Sequence, residues 1–242
     1  MPILKKWNSG DSILGIWKIE ETIEELRSLL TDASCDDSVW LNYKSSSRQA
    51  EYLTARVLLK ELCGMEHNIQ HNLSGKPFLS DGGYNISISH TRGYVALALN
   101  PNKEIGIDIE YFSDRVLKIE SRFVRKDEFP NSRVDVNLEM CADMCADMCA
   151  DICADSITNI RIYRLLLIWS GKETLFKVLN SSEVDFLEHL RIFPFEIVSG
   201  TGVMNAKEYK TPAQKDYTVN YILNSDFVLT LSLIHISRCR RR

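Results

Sequence analysis

Apolar and polar positions alternate through the middle of the chain and fall at helical spacing on either side of it. Ser12 to Ile19 is a short, mostly apolar run that predicts an opening strand. From Glu20 to Leu30 the period changes, and Ile23, Leu26 and Leu30 fall on one face of a helix. Ser45, Ser46 and Ser47 are N-cap candidates for an amphipathic helix from Arg48 to Leu62. A turn at Gly75-Lys76-Pro77 precedes a hairpin with strands Tyr84–His90 and Tyr94–Leu99, joined by Thr91-Arg92-Gly93. Ile105-Gly106-Ile107-Asp108-Ile109-Glu110 is the next strand. A long helix is predicted from about Ile160 to Leu179. A closing hairpin follows, Tyr217–Leu223 and Phe227–Leu231, turning at Asn224-Ser225-Asp226.

Helix, hairpin, helix, hairpin predicts a pseudo-duplicated α+β protein with its site between the halves. Gly93 to Leu99 is similar in type and place to Asp226 to Leu231. The expected division is an N-terminal lobe at 1–104 and a C-terminal lobe at 105–231. Within the second, Cys141 to Asp155 repeats a Cys-Ala-Asp unit. On a helix that period brings thiols within reach of one another, so a thiolate metal site is conceivable. Slippage of a short DNA repeat produces the same unit, so residues 141–155 are read as an insertion without chemistry. Residues 232–242 are read as a non-native tail. Leu231 to Ile236 and the run to Arg242 look like translated adaptor DNA, with the natural coding sequence expected to be cut off near Leu231.

Composition narrows the class. A chain of 242 residues, 45% hydrophobic and 26% charged, is ordinary for a soluble globular protein. No apolar run approaches a membrane span, and Met1 to Lys6 lacks the apolar core of a signal peptide. A cytoplasmic location without membrane association is therefore expected. Outside the repeat and the tail only Cys35 and Cys63 remain, too few for a disulfide framework. The net charge of −4 argues against a nucleic-acid partner, the more so because several of the basic residues sit in the last few positions.

Three segments carry chemistry. Asp108 and Glu110 lie two apart on a strand and so share a face. Paired carboxylates in a half-buried setting repel unless a cation lies between them, and hard oxygen ligands suit Mg²⁺. The alternative is a solvated acidic face. In Trp169-Ser170-Gly171-Lys172-Glu173-Thr174-Leu175-Phe176-Lys177, Glu173 and Lys177 stand on one helical face with Lys172 beside them. The apolar run from Ile162 to Trp169 predicts that this helix is largely buried, so its charges need partners or a metal. Glu173 is a candidate third ligand, against the alternative of a surface Glu–Lys pair. Ser87 and Ser89 share a strand face, and His90 lies at the strand end. Lys76 and Arg48 add cations at a rigid turn and near a helix start.

In their order along the chain these segments resemble 4′-phosphopantetheinyl transferases. They are Arg48 on a helix, Gly75-Lys76-Pro77, Ser87-Ile88-Ser89-His90, Gly106-Ile107-Asp108-Ile109-Glu110, and Trp169-x-x-Lys172-Glu173-x-x-x-Lys177. The length looks like the surfactin-synthetase-activating type, whose doubled architecture places a helix on an antiparallel sheet in each half. The resemblance implies transfer of the phosphopantetheine arm of coenzyme A to a serine of an acyl or peptidyl carrier protein by a monomeric enzyme. It implies that Asp108, Glu110 and Glu173 hold Mg²⁺, with Glu173 taking the serine proton. Lys172 and Lys177 would stabilise phosphate charge. Arg48, Gly75, Lys76, Pro77, Ser89, His90 and Lys177 would bind coenzyme A. Two departures stand out: Gly171 inside the helix, and Thr174 where a smaller residue is common. The alternatives are a carboxylate-metal phosphohydrolase and a carrier-binding module without chemistry.

Overall fold

The computed structural model describes residues 3–31, 35, 37–128, 150–179, 181, 183–198 and 200–233, with backbone alone at 150–157. Most of the Cys-Ala-Asp repeat and the tail beyond Leu233 lie outside the described residues. The chain is α+β. Strands β1 (Ile3–Ser9) and β2 (Ser12–Lys18) open it, followed by α1 (Ile23–Ser28), α2 (Asp37–Trp40) and α3 (Ser46–Cys63). Next come β3 (Ile69–His71), β4 (Pro77–Leu79), β5 (Asn85–Thr91), β6 (Tyr94–Asn100) and β7 (Ile105–Tyr111). The short α4 (Arg115–Ile119) and the long α5 (Ala150–Leu179) precede β8 (Leu190–Ile192), β9 (Gly200–Glu208), β10 (Asp216–Leu223) and β11 (Phe227–Leu233). No helix among the described residues is long and apolar enough to cross a membrane.

Local chemistry explains where several elements begin. Helix α1 starts later than its apolar spacing predicts because Thr22 and Glu25 form a reciprocal capping box. Ser45 takes the extended N-cap conformation of α3, though its side chain makes no cap hydrogen bond. Strands β1, β3, β4, β8 and β9 are absent from the expectations above: β1 is a mostly exposed edge, β3, β4 and β8 span three residues each, and β9 opens on Gly200-Thr201-Gly202. Ser232 and Leu233, the first two residues of the expected tail, complete β11 and pair with Gly106 and Ile105.

Two antiparallel sheets carry the architecture. Residues 3–100 form one in the order β1-β2-β6-β5; residues 105–233 form the other in the order β7-β11-β10-β9-β8. Helix α3 covers one face of the first through Leu53, Leu58, Leu59 and Leu62 against Trp17, Leu97 and Leu99. Helix α5 covers the second through Leu165, Leu167, Leu175 and Val178 against Val219, Tyr221 and Val228. A third core lies between the sheets, where Leu14, Ile16, Ala96 and Ala98 meet Ile107, Ile109, Leu229 and Leu231. Burying apolar area in this third core, at roughly 25 cal/mol per Å², joins the halves.

The odd positions of β7 enter that third core, so its even positions, Gly106, Asp108 and Glu110, face α5. The helix lies almost on the strand at Gly106, where a Cβ would stand 2.3 Å from the Thr174 carbonyl oxygen and 2.6 Å from Val178 Cγ2. Glycine is required there because backbone, unlike a side-chain tip, cannot step aside. Gly171 has a related reason: a Cβ would meet Ile192 and Met204 at 3.2 and 3.3 Å. Thr174 exchanges a hydrogen bond with Thr230 at 2.7 Å and Ser170 does so at 2.8 Å, tying α5 to β11 through hydroxyls. Gly106→Ala is expected to destabilise the protein by about 3 kcal/mol or more, at or above the top of the usual overpacking range. Denaturant unfolding measures it, and a loss below about 1 kcal/mol would contradict this packing.

Candidate active site

Strands β5 and β7 are edges of different sheets, laid side by side. Ser87, Ser89 and Thr91 alternate along β5 and share a face. The Ile107 N–H donates to Ser87 Oγ at 3.0 Å and the Tyr111 N–H to Thr91 Oγ1 at 3.2 Å. Two hydroxyls thus accept from β7 where a neighbouring strand's carbonyls otherwise would. Between them Ser89 Oγ donates to Asp108 Oδ1 at 2.8 Å. Ser89 is buried and this bond occupies its hydroxyl. The bond positions Asp108, and Ser89 is not among the residues that line the neighbouring pocket.

Asp108 is 3% exposed. Lys177 Nζ donates to its Oδ1 at 2.8 Å and to the Ile107 carbonyl at 2.9 Å, while Oδ2 has no hydrogen-bond partner. Glu110 accepts from Trp169 Nε1 at 2.7 Å. Burial, and then the Asp108 charge, push Glu110 up to about 7 despite that bond. Glu173 is pushed up to about 7 by burial and then Asp108, against the opposing effect of Lys177. The Asp108 charge on β7 thus acts on both Glu110 and Glu173, and Glu173 of α5 acts on Glu110. Among the described residues no three His, Cys, Asp or Glu side chains stand ready-made as a metal cage. Even so, an unpartnered carboxylate oxygen and two acids held near neutrality form a donor set that a divalent cation would relieve.

Beside the acids a pocket of about 430 Å³ opens between α3, the Gly75 turn, β5 and the end of α5. Arg48, Gly75, Lys76, Pro77, His90 and Lys177 line it. Gly75 has φ +82°, and the Asn72 side chain accepts from the Ser74 and Lys76 N–H groups, which fixes the turn. Lys76 is paired with Glu104. Arg48 Nη1 lies 2.5 Å from His90 Nε2 and 3.2 Å from Glu51 Oε2. Desolvation, and then the Arg48 and Lys177 charges, hold His90 below its ordinary value, with Glu51 opposing them. Lys177 belongs to both regions, lining the pocket and bonding Asp108.

Lys172 does not. It was expected beside Glu173 as a phosphate-stabilising group, and the structure corrects this. One residue along a helix turns a side chain by about 100°, so Lys172 points into the core as Glu173 faces β7. Lys172 is fully buried and donates to the Phe123 and Phe186 carbonyls at 2.6 and 2.9 Å and to Glu128 at 2.8 Å. Glu128 also accepts from the Arg125 and Ile192 N–H groups, both at 2.7 Å. The pair fastens two loops and β8 to α5. Burial holds the lysine below its ordinary value, with Glu128 opposing that shift.

Neither a scan against protein-family models nor a search of curated proteins finds a match to this chain.

Two outcomes are expected. Lys172→Met or Glu128→Gln alone leaves a buried charge unpaired and lowers stability by about 3–5 kcal/mol, with the double variant losing less than the sum. A denaturant-based double-mutant cycle checks this. For Glu110 and Glu173 the folded value of about 7 exceeds the ordinary 4.5, so between those values the folded state binds more protons. The contribution of these two groups to stability should therefore fall as pH rises from about 5 to 8, and Glu173→Gln should remove part of that fall. Unfolding curves across this range would contradict the cluster if the slope were unchanged in the variant.

Proposed function

We propose that this protein transfers the 4′-phosphopantetheine group of coenzyme A to a serine hydroxyl of an acyl or peptidyl carrier protein, using Mg²⁺. The observation that carries the reading is Lys177, one ammonium that lines a cation-rich pocket and also bonds a buried carboxylate of a three-acid cluster. A pyrophosphate ester needs both environments: cations for its oxygens, and carboxylates to hold the metal that accompanies them. The doubled architecture of the family is consistent with one antiparallel sheet and one long helix in each half, meeting at the site. Both walls of the pocket come from a single chain, which suits a monomer.

In this reading Arg48, Lys76 and His90 bind phosphate oxygens, and the left-handed turn at Gly75 lets backbone approach the nucleotide. Lys177 has two of its three N–H groups on protein acceptors and directs the third at the pyrophosphate. Asp108, Glu110 and Glu173 would hold Mg²⁺, which when bound neutralises charge on the leaving phosphate. The serine oxygen bonds to the phosphorus on the pantetheine side. The bond from that phosphorus to the bridging oxygen breaks, and its electron pair leaves with adenosine 3′,5′-bisphosphate. Glu173 receives the serine proton. Ser89 keeps Asp108 aimed at the seam. Lys172 holds α5 in place from the opposite side.

The test is intact-mass analysis of an apo carrier protein incubated with the enzyme, coenzyme A and Mg²⁺. A gain of one phosphopantetheine group is expected. It should be slowed about 10²–10⁴-fold by Glu173→Gln and abolished by chelation. Arg48→Ala should mainly raise KM for coenzyme A. Cleavage of coenzyme A without carrier modification would replace the proposal with a phosphohydrolase, and binding without turnover with an inactive carrier-binding module.

A further inference from the structure

Helix α5 meets the C-terminal sheet along two neighbouring stripes. Trp169, Glu173 and Lys177 stand one helical turn apart and form one; Ser170, Thr174 and Val178 form the other, rotated from it by about 100°. The first stripe carries the site: Trp169 donates to Glu110 at 2.7 Å and Lys177 to Asp108 at 2.8 Å. The second stripe rests on the sheet beside it. Thr174 and Val178 lie over Gly106, and Ser170 and Thr174 converge on Thr230 of β11. Thr230 is the cross-strand partner of Asp108, so this contact falls on the same row of the sheet as the buried carboxylate.

Ser170, Thr174 and Thr230 are all fully buried. Thr230 Oγ1 lies 2.8 Å from Ser170 Oγ and 2.7 Å from Thr174 Oγ1, and Thr174 Oγ1 donates to the Thr230 carbonyl at 3.2 Å. One assignment uses every proton: Ser170 donates to Thr230, Thr230 to Thr174, and Thr174 to the carbonyl. Around the three hydroxyls α5 packs on Val219, Tyr221 and Val228 by apolar contact, which has no preferred direction. The bonds from Trp169 and Lys177 are directional but end on the acids themselves, where a cation would compete for the same oxygens. The hydroxyl triad is independent of the acids, and it therefore fixes the rotation of α5 whatever the acids hold. Side-chain tips stand roughly 5–6 Å from a helix axis, so a turn of about 10° moves them by about 1 Å. A displacement of that size can cost a catalytic arrangement roughly a hundredfold.

We infer that Thr230, with Ser170 and Thr174, positions Glu173 against the β7 carboxylates and so sets the affinity of the acid cluster for a divalent cation. That the cluster takes a cation rests on the proposed function. None of the three hydroxyl residues lines the pocket, so their effect reaches a bound ligand only through the helix. They are positioning residues.

The experiment follows Mn²⁺ binding to the whole chain by electron paramagnetic resonance, with and without coenzyme A, in the unaltered protein and in Thr230→Val, Thr230→Ser and Thr174→Val. Thr230→Val keeps the shape and removes the central hydroxyl, and it should weaken Mn²⁺ binding about tenfold or more. Affinity for adenosine 3′,5′-bisphosphate, measured without metal, should stay the same, and Thr230→Ser should keep most of the Mn²⁺ affinity. A residue that only held the core together would lower the unfolding midpoint and leave Mn²⁺ affinity alone. Unchanged Mn²⁺ affinity in folded Thr230→Val, equal losses in Thr230→Val and Thr230→Ser, or no Mn²⁺ binding by the unaltered chain would overturn the inference. If Thr230→Val fails to fold, Thr174→Val decides by the same reading. Mn²⁺ binding that depends on Thr230, without modification of any carrier, would keep this inference and remove the transferase reading. Carrier modification with Mn²⁺ affinity untouched by Thr230→Val would do the reverse.

Discussion

A strand at the border of a sheet leaves a row of backbone N–H groups that must find acceptors, and β7 is such a strand. Beside it lies β5, the border of the other sheet, whose Ser87 and Thr91 hydroxyls accept from β7 in place of carbonyls. The sheets therefore adjoin without merging into one ladder, and the gap leaves room for the third hydroxyl, on Ser89, to hold a carboxylate. Asp108 is fixed by that bond, Lys177 is fixed by Asp108, and Lys177 borders the pocket. Without the hydroxyl seam the acids would belong to one half of the molecule and the pocket cations Arg48 and Lys76 to the other.

Electrostatics follow from the seam. Placing Asp108, Glu110 and Glu173 around one half-buried space raises the last two toward neutrality, so the cluster is least strained when protonated or holding a cation. Helix α5 resolves the rest by geometry. Glu173 and Lys177 share its face toward β7, while Lys172 turns into the core and is neutralised by Glu128. Two lysines in one short motif thereby take unrelated tasks, one at the site and one holding the helix that presents it.

Legibility in the sequence follows the range of the interactions. The alternation from Ile105 to Glu110 put both carboxylates on one face, and they are there because a strand's period is a local property. Spacing on α5 put Glu173 and Lys177 together for the same reason. Lys172 was misplaced because adjacency in sequence does not say which side of a helix meets the core. Its partner Glu128 is separated from it by 44 residues. Period-two hydroxyls at Ser87, Ser89 and Thr91 were visible, but their acceptor role required knowing that β7 lies alongside. Thr230 carried no signal in the sequence, and only the helix laid over it gave its hydroxyl partners.

The sequence by itself determined the α+β class, the main helices and hairpins, and the residue types that meet at the site, since these depend on periodicity and side-chain chemistry. The tertiary structure alone decided which edges face each other, which of two adjacent lysines is buried, and which hydroxyls meet between α5 and β11. Those outcomes depend on contacts between residues far apart in the chain, and a local pattern carries no information about its distant neighbours.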